Sequence, residues 1–192
     1  MPRPIRAKAQ VERSAIELFA ARGIDGVSIG EVAAHAGVSQ GALYRHYPGK
    51  DELAQSLFAA AYRRIGAELD QIRAAAPDLA AQLRGMVGHF CALYDSDPAL
   101  FRFLLLAQHN FLPHLAQEPH QPPAVLARMV GEAVDRGELA PVEPALGAAA
   151  IMGIVLQAAT FHLYGRITGP LPSRAEALSR AGLAALKALG PC

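Results

Sequence analysis

The chain has 192 residues, of which 52% are hydrophobic, and a formal net charge of +1. That is enough for a small head plus one larger domain, or a single bundle, with apolar surface for a sizeable core and an oligomer interface. Two cysteines, Cys91 and Cys192, exclude a disulfide framework or a zinc site and point to a reducing cytosol, and the basic amino terminus lacks the apolar stretch of a signal peptide.

The charge is uneven along the chain. Residues 1–50 hold seven Lys or Arg against four Asp or Glu, giving +3, whereas residues 51–192 hold eleven against thirteen, giving −2. The basic end opens with Arg3, Arg6 and Lys8, which form either an arm along a phosphate backbone or a solvated tail. Ala7 to Arg22 then reads as a helix, with Val11, Ala15, Leu18 and Phe19 on one buried face and Gly23 at its end.

Two short helical patterns follow. Ser28 with Glu31 forms an S-x-x-E capping box ahead of Val32 and Ala33. Gly37 suits a left-handed exit, Val38 can plug the angle between helices, and Ser39 caps a second helix over 40–46. Two helices joined by a short Gly-containing turn are either an ordinary helical hairpin or a helix-turn-helix, whose second helix enters the DNA major groove. In that second helix Leu43 faces the core, while Gln40, Tyr44, Arg45, His46 and Tyr47 project outward with Lys50 just beyond. The small Gly41 and Ala42 would allow a close approach to base edges. Gln40 or Arg45 can reach bases by hydrogen bonding, and Ser39, Tyr44 and Lys50 are suited to phosphates.

Together these residues resemble the TetR family of tetracycline-repressor-like regulators. The resemblance rests on Ala15, Leu18, Phe19 and Gly23, then Ser28-Ile29-x-x-Val32-Ala33, Ala36-Gly37-Val38-Ser39, Leu43-Tyr44-x-His46-Tyr47 and Lys50-Asp51-Glu52-Leu53. It runs without a gap over about the first quarter of the chain. Gly30 inside the first motif helix departs from the family pattern, as does Tyr47 where Phe is more frequent. The resemblance implies a DNA-binding set of Arg6, Ser28, Ser39, Gln40, Ala42, Tyr44, Arg45, His46, Tyr47 and Lys50.

The remaining elements read as helices. Lys50 to Ala75 carries Leu53, Leu57, Ala61, Ile65, Leu69 and Ile72 along one side and stops before Pro77. A second pattern spans about Asp78 to Tyr94, and Asp97-Pro98 restarts the chain with a cap and an N1 proline. Ala99 to Asn110 is apolar nearly all round and is expected to be buried on most sides. Pro113, Pro119, Pro122 and Pro123 mark a loop that no helix crosses. Ala124 to Arg136 ends at Gly137 with Leu139 suited to a Schellman-type cap. Glu143 to Arg166 and Ser173 to Leu189 complete the chain. The apolar run at 145–165 is interrupted by Gln157, Thr160 and His162, so it reads as a buried bundle helix rather than a membrane span.

The predicted fold is therefore all-α, with about nine helices. It has a three-helix head over residues 1–50 and a helical ligand-binding and dimerisation domain over residues 51–192. Gly147, Ala150, Ile154, Ala158 and Phe161 on one helix, and Leu178, Gly182, Ala185 and Leu189 on the next, form stripes whose small residues permit close approach and that serve either an intramolecular core or a four-helix contact with a second copy. The TetR resemblance implies the dimer, and also a small-molecule effector in the carboxy-terminal helices that alters the separation of two heads. Phe90, Tyr94, Phe103, Leu106, His109, Met129, Met152, Gln157 and Phe161 are candidates for a largely apolar pocket, or else plain core.

No cofactor is expected. Gln108, His109, His114, Glu118 and His120 cluster in sequence, but their spacing matches no metal motif. Asp95 and Asp97 belong to a helix break rather than a catalytic pair, and no nucleophile triad or phosphate loop is present. The sequence thus predicts a cytoplasmic, homodimeric, ligand-responsive transcription regulator, most simply a repressor. The alternative is a helical small-molecule-binding or scaffold protein without specific DNA binding.

Overall fold

Helix punctuation in this chain is set by serine and proline at the starts and glycine at the ends. In a computed structural model, residues 3–115 and 120–190 are described, with side chains from residue 8 onward except that of residue 114. The described residues form α1 (Arg3–Arg22), α2 (Ile29–His35), α3 (Gln40–Tyr44), α4 (Lys50–Ala75), α5 (Leu79–Ser96), α6 (Pro98–Leu115), α7 (Pro122–Asp135), α8 (Pro144–Leu163) and α9 (Ala175–Ala188). A 3-10 turn at Leu171–Arg174 precedes α9, and no strand occurs among the described residues. The all-α expectation holds.

Several boundaries differ from the sequence reading for physical reasons. α6 runs through Pro113 to Leu115 instead of stopping near Asn110. Only the last turn loses an N–H donor there, which a helix end tolerates better than its middle. α7 starts at Pro122 rather than Ala124, because proline is at home in a first turn, where the N–H has no helical partner. It ends in the expected Schellman arrangement: Gly137 has φ 72°, Glu138 N–H donates to Ala133 O at 2.9 Å, and Gly137 N–H donates to Val134 O at 2.9 Å.

By packing, the chain divides into two compact units that do not follow the 50/51 boundary. One contains Met1–Ala61 and Asp97–Ala116, the other Tyr62–Ser96 and Gln117–Cys192. α4 is unbroken and contributes its first twelve residues, 50–61, to the first unit and the rest to the second. α6, read from sequence as part of the carboxy-terminal domain, belongs to the first unit because it packs on α1.

The first unit is built on Val11, Ala15, Phe19, Val32, Leu43, Leu53 and Phe58, all buried. α6 adds Leu100, Phe101, Phe103, Leu104 and Ala107 to buried positions, and Phe103 stacks on Phe19 with centroids 6.0 Å apart. α6 is nevertheless not buried on most sides, since Arg102, Leu106 and His109 are exposed. Leu18 is half-buried, at the margin of the expected stripe.

In the second unit α5 packs on α9 and on the 3-10 turn, α7 on α8, and α8 on α9. Its core includes Leu79, Leu83, Met129, Val130, Leu171 and Leu186. The chain after α6 passes so close to α4 that a Cβ on Gly66 would lie 1.8 Å from His120 O. Part-buried ion pairs join α4 to α7: Arg73 donates to Glu132 at 2.7 Å, and Arg128 donates to Asp70 at 3.1 Å.

Candidate nucleic-acid interface

The geometry of the head begins at its caps. Glu31 N–H donates to Ser28 Oγ at 3.2 Å, and Ser28 N–H donates back to Glu31 Oε2 at 2.8 Å, so both halves of the capping box are present. The Ser28 hydroxyl also donates to Glu31 at 2.8 Å, and Arg22 reaches the other carboxylate oxygen at 2.9 Å. The Ser28 backbone bond, then its hydroxyl, then Arg22 hold the Glu31 carboxyl down to about 2. Ser28 is thereby committed to the cap.

The turn between α2 and α3 depends on Gly37, whose φ is 66°. That conformation lets Val38 N–H donate to Ala33 O at 3.0 Å and Gly37 N–H to Ala34 O at 3.2 Å, closing α2 and redirecting the chain. Ser39 starts α3, its Oγ accepting from Ala42 N–H at 3.3 Å. Leu43 is 2% exposed, Val32 and Ala33 on α2 are buried as well, and α2 packs on α3.

What remains outward is a compact polar face. Gln40, Gly41, Tyr44, Arg45 and His46 are exposed, and Ala42 is half-buried. α3 ends at Tyr44 with Arg45 as its C-cap, earlier than the expected His46. Tyr47, expected to project outward, is instead half-buried. Burial, followed by the charge of Glu12, raises its phenol pKa, and Ser56 and Glu12 are its side-chain hydrogen-bond partners. It therefore ties the end of the turn to α1 and α4. Lys50 Nζ donates to Asp25 O at 3.2 Å and keeps 28% of its side chain exposed. Lys8 is 70% exposed on α1. Arg3 and Arg6 lie on α1, but their side chains fall outside the described residues.

The nine candidate effector contacts divide between the units. Phe103 is buried against Phe19 in the first unit, while Leu106 and His109 are exposed there. In the second unit Tyr94 and Met129 are buried, Phe90 and Met152 half-buried, and Gln157 and Phe161 exposed. Tyr94 OH lies 2.9 Å from His162 Nδ1, with the rings edge-on, and His162 Nε2 donates to Gly169 O at 2.8 Å. No sequence pattern links Tyr94 to His162, which are 68 residues apart. A separate concavity of about 210 Å³ in the first unit is lined by Asp51, Glu52, Gln55, Asn110 and Phe111, none of them expected contacts.

His109 and His120 are exposed, the side chain of His114 and the whole of Glu118 lie outside the described residues, and no group of three potential ligands occurs among the described residues. Asp97 caps α6, as its sequence position suggests, with Leu100 N–H donating to its Oδ1 at 3.0 Å. Asp95 accepts from Leu171 N–H at 3.3 Å.

The expected association stripes are split. Gly147 packs against Val130 and Leu186, and Gly182 against Leu83, so both face the chain's own core. Ala150, Ile154, Ala158, Leu178, Ala185 and Leu189 are half-exposed. Beside them Leu146, Ala149, Gly153, Gln157, Phe161 and Tyr164 form an exposed stripe at i, i+3, i+4 spacing along α8. α8 is long and apolar enough to cross a membrane, and only 28% of its most apolar window is buried within the chain. Most of its surface is therefore left uncovered by the chain's own helices.

These helices define an all-α protein with an amino-terminal helix-turn-helix. Residues 13–57 match the family described as bacterial regulatory proteins, tetR family. Over 75 residues it is 36% identical to the HTH-type transcriptional regulator SrpR of Pseudomonas putida, a match covering 36% of this chain and 34% of SrpR. The matched segment spans about a third of the length of such curated relatives. The fold likeness is broader. The fatty acid degradation regulator FadR of Bacillus halodurans superposes with a TM-score of 0.84 at 17% identity, over 93% of this chain and 99% of that one. FadR of Bacillus subtilis, solved with stearoyl-CoA, gives 0.82 at 16% identity, over 92% and 98%.

Proposed function

We propose that this chain is a ligand-responsive transcriptional repressor that binds a palindromic double-stranded DNA operator as a homodimer. The observation that carries this reading is the outer face of α3, where Gln40, Tyr44, Arg45 and His46 stand exposed while Leu43 and the Ser28 and Ser39 caps fix the helix beneath them. Hydrogen-bonding side chains on a rigid, groove-sized helix are what direct base readout requires. The +3 charge of residues 1–50 supports phosphate attraction.

The homodimer is supported by the α8 stripe. An apolar helix face left uncovered by its own chain is the expected surface for a second copy, and α8 with α9 would complete a four-helix contact. The effector is a small, largely apolar molecule held in the second unit, with Phe90, Tyr94, Met129 and Met152 as its candidate lining. That ligand class is in keeping with the stearoyl-CoA bound to Bacillus subtilis FadR. The proposed route of response is α4, which contributes residues to both units. Couplings of this kind are typically worth about 1–3 kcal/mol, a several-fold to hundredfold loss of operator affinity. The protein acts in the bacterial cytoplasm and catalyses no reaction in this reading.

Titrating labelled duplexes at several salt concentrations tests the assignment. Tyr44→Ala and Lys50→Ala should weaken binding to every sequence and flatten the salt dependence by about one unit per lost phosphate contact. Gln40→Ala and Arg45→Ala should instead relax sequence preference. Identical behaviour of all four variants on specific and random duplexes would contradict these roles.

A further inference from the structure

Gly30 breaks the pattern of a good helix, being a glycine in the first turn of the seven-residue α2, where alanine would be more stable. Its φ is not positive, so its backbone does not require glycine. What glycine supplies is space. A Cβ at Gly30 would stand 3.4 Å from Gln40 Nε2, 3.6 Å from Cδ and 3.7 Å from Oε1. Three carboxamide atoms at nearly equal distance mean that the amide of Gln40 turns its flat face, not an edge, toward the place a Cβ would take, at ordinary van der Waals distance, so a methyl would fit between the two and a larger side chain would not. Gln40 is exposed, and its amide makes no hydrogen bond among the described residues.

We propose that Gly30 is a positioning residue that seats the Gln40 carboxamide for bidentate readout of an adenine in each half-site. The proposal rests on the reading of α2 and α3 as the DNA-binding element. An amide pairs with adenine by accepting from N6 and donating to N7, which requires both ends of the amide to be free and coplanar with the base. Seating by its face leaves both ends free. Gln is also among the side chains that lose most rotamer freedom when fixed, so seating it before DNA arrives removes part of that cost from binding. The bare helix surface at Gly30 and the unpartnered amide above it are thus parts of one device.

Selection of bound sequences from randomised duplexes tests this with four proteins: wild type, Gln40→Ala, Gly30→Val and the double variant. The wild type is expected to select adenine at one position per half-site by roughly five- to hundredfold. Gln40→Ala should lose that discrimination at that position alone. Gly30→Val, whose branched side chain occupies the seat, should lose it at the same position, with no further loss in the double variant. Gly30→Ala, whose Cβ meets the amide at ordinary contact distance, should keep the preference. An unchanged preference in Gly30→Val, or a loss at a different position that persists without Gln40, would overturn the proposal. Circular dichroism confirms that the variants fold. Should Gly30→Val fail that check, a nuclear Overhauser contact between the Gln40 amide protons and the Gly30 α-protons in the wild type decides the matter, and its absence counts against the seat. Sequence-blind binding by the wild type would instead overturn the DNA-reading proposal itself, and this one with it.

Discussion

Arg13 and Asp97, 84 positions apart, are joined through a single guanidinium nitrogen that lies 2.8 Å from one carboxylate oxygen and 2.9 Å from the other. The same carboxylate caps α6 through Leu100 N–H, so one side chain both starts α6 and fastens it to α1. Its removal should therefore cost more than either role alone. Asp97→Ala is expected to lower stability by about 1–2 kcal/mol, mostly through the lost cap. Arg13→Ala should cost less than about 1 kcal/mol, because the pair is partly solvent-screened. Asp97→Asn, which keeps a capping oxygen, should fall between wild type and Asp97→Ala. Urea denaturation of the three variants checks the order, and an equal loss in Asp97→Asn and Asp97→Ala would assign the effect to the ion pair instead.

The Glu31 carboxyl sits at about 2 against an ordinary value of 4.5. Its ionised form is favoured by folding, so its contribution is complete above about 4.5 and fades as the pH falls toward 2. Thermal melts across that window should show wild-type stability falling faster than that of Glu31→Gln. Parallel curves would mean that Glu31 is held no differently in the folded and unfolded chains.

Gly66 offers a larger effect. Alanine there would place its Cβ 1.8 Å from His120 O, a backbone atom, and neither the helix nor the crossing segment can yield cheaply. Gly66→Ala should destabilise the protein by about 1–3 kcal/mol or more, against the usual gain of about 1 kcal/mol for replacing a helical glycine with alanine. A melting temperature that rises would show that the crossing segment moves freely.

What was legible in the sequence is what local chemistry controls. The Ser28–Glu31 box, the left-handed Gly37 and the Gly137 cap each specify a backbone conformation within a few residues, and each is found in place. Contacts between distant segments were not legible. Nothing near Phe103 states that it stacks on Phe19, so the packing of α6 on α1 cannot be read from the sequence. Tyr47 follows the exposed α3 face in sequence, yet its ring turns inward because Ser56 and Glu12 offer partners there. The pairing of Gly30 with Gln40 is likewise out of reach: the sequence marks Gly30 as out of pattern but does not say which side chain lies over it.

The α8 stripe predicts an association that concentration should reveal. Phe161 on α8 and Tyr164 at its C-cap are 47% and 68% exposed. Phe161→Glu would place a charge in the middle of the proposed contact, where an unpaired carboxylate is costly. Sedimentation velocity should show the wild type as a dimer and Phe161→Glu shifted to monomer, with operator affinity falling in step. A dimer unaffected by this change would place the interface elsewhere.

The most direct test of the account is recovery of genomic fragments bound by the purified protein at two salt concentrations. The account predicts enrichment of one palindromic site with half-sites about one helical turn apart, retained at the higher salt. Recovery of no fragment, or of sequence-blind binding that the higher salt abolishes, would contradict it and leave a helical ligand binder whose α3 reads no DNA.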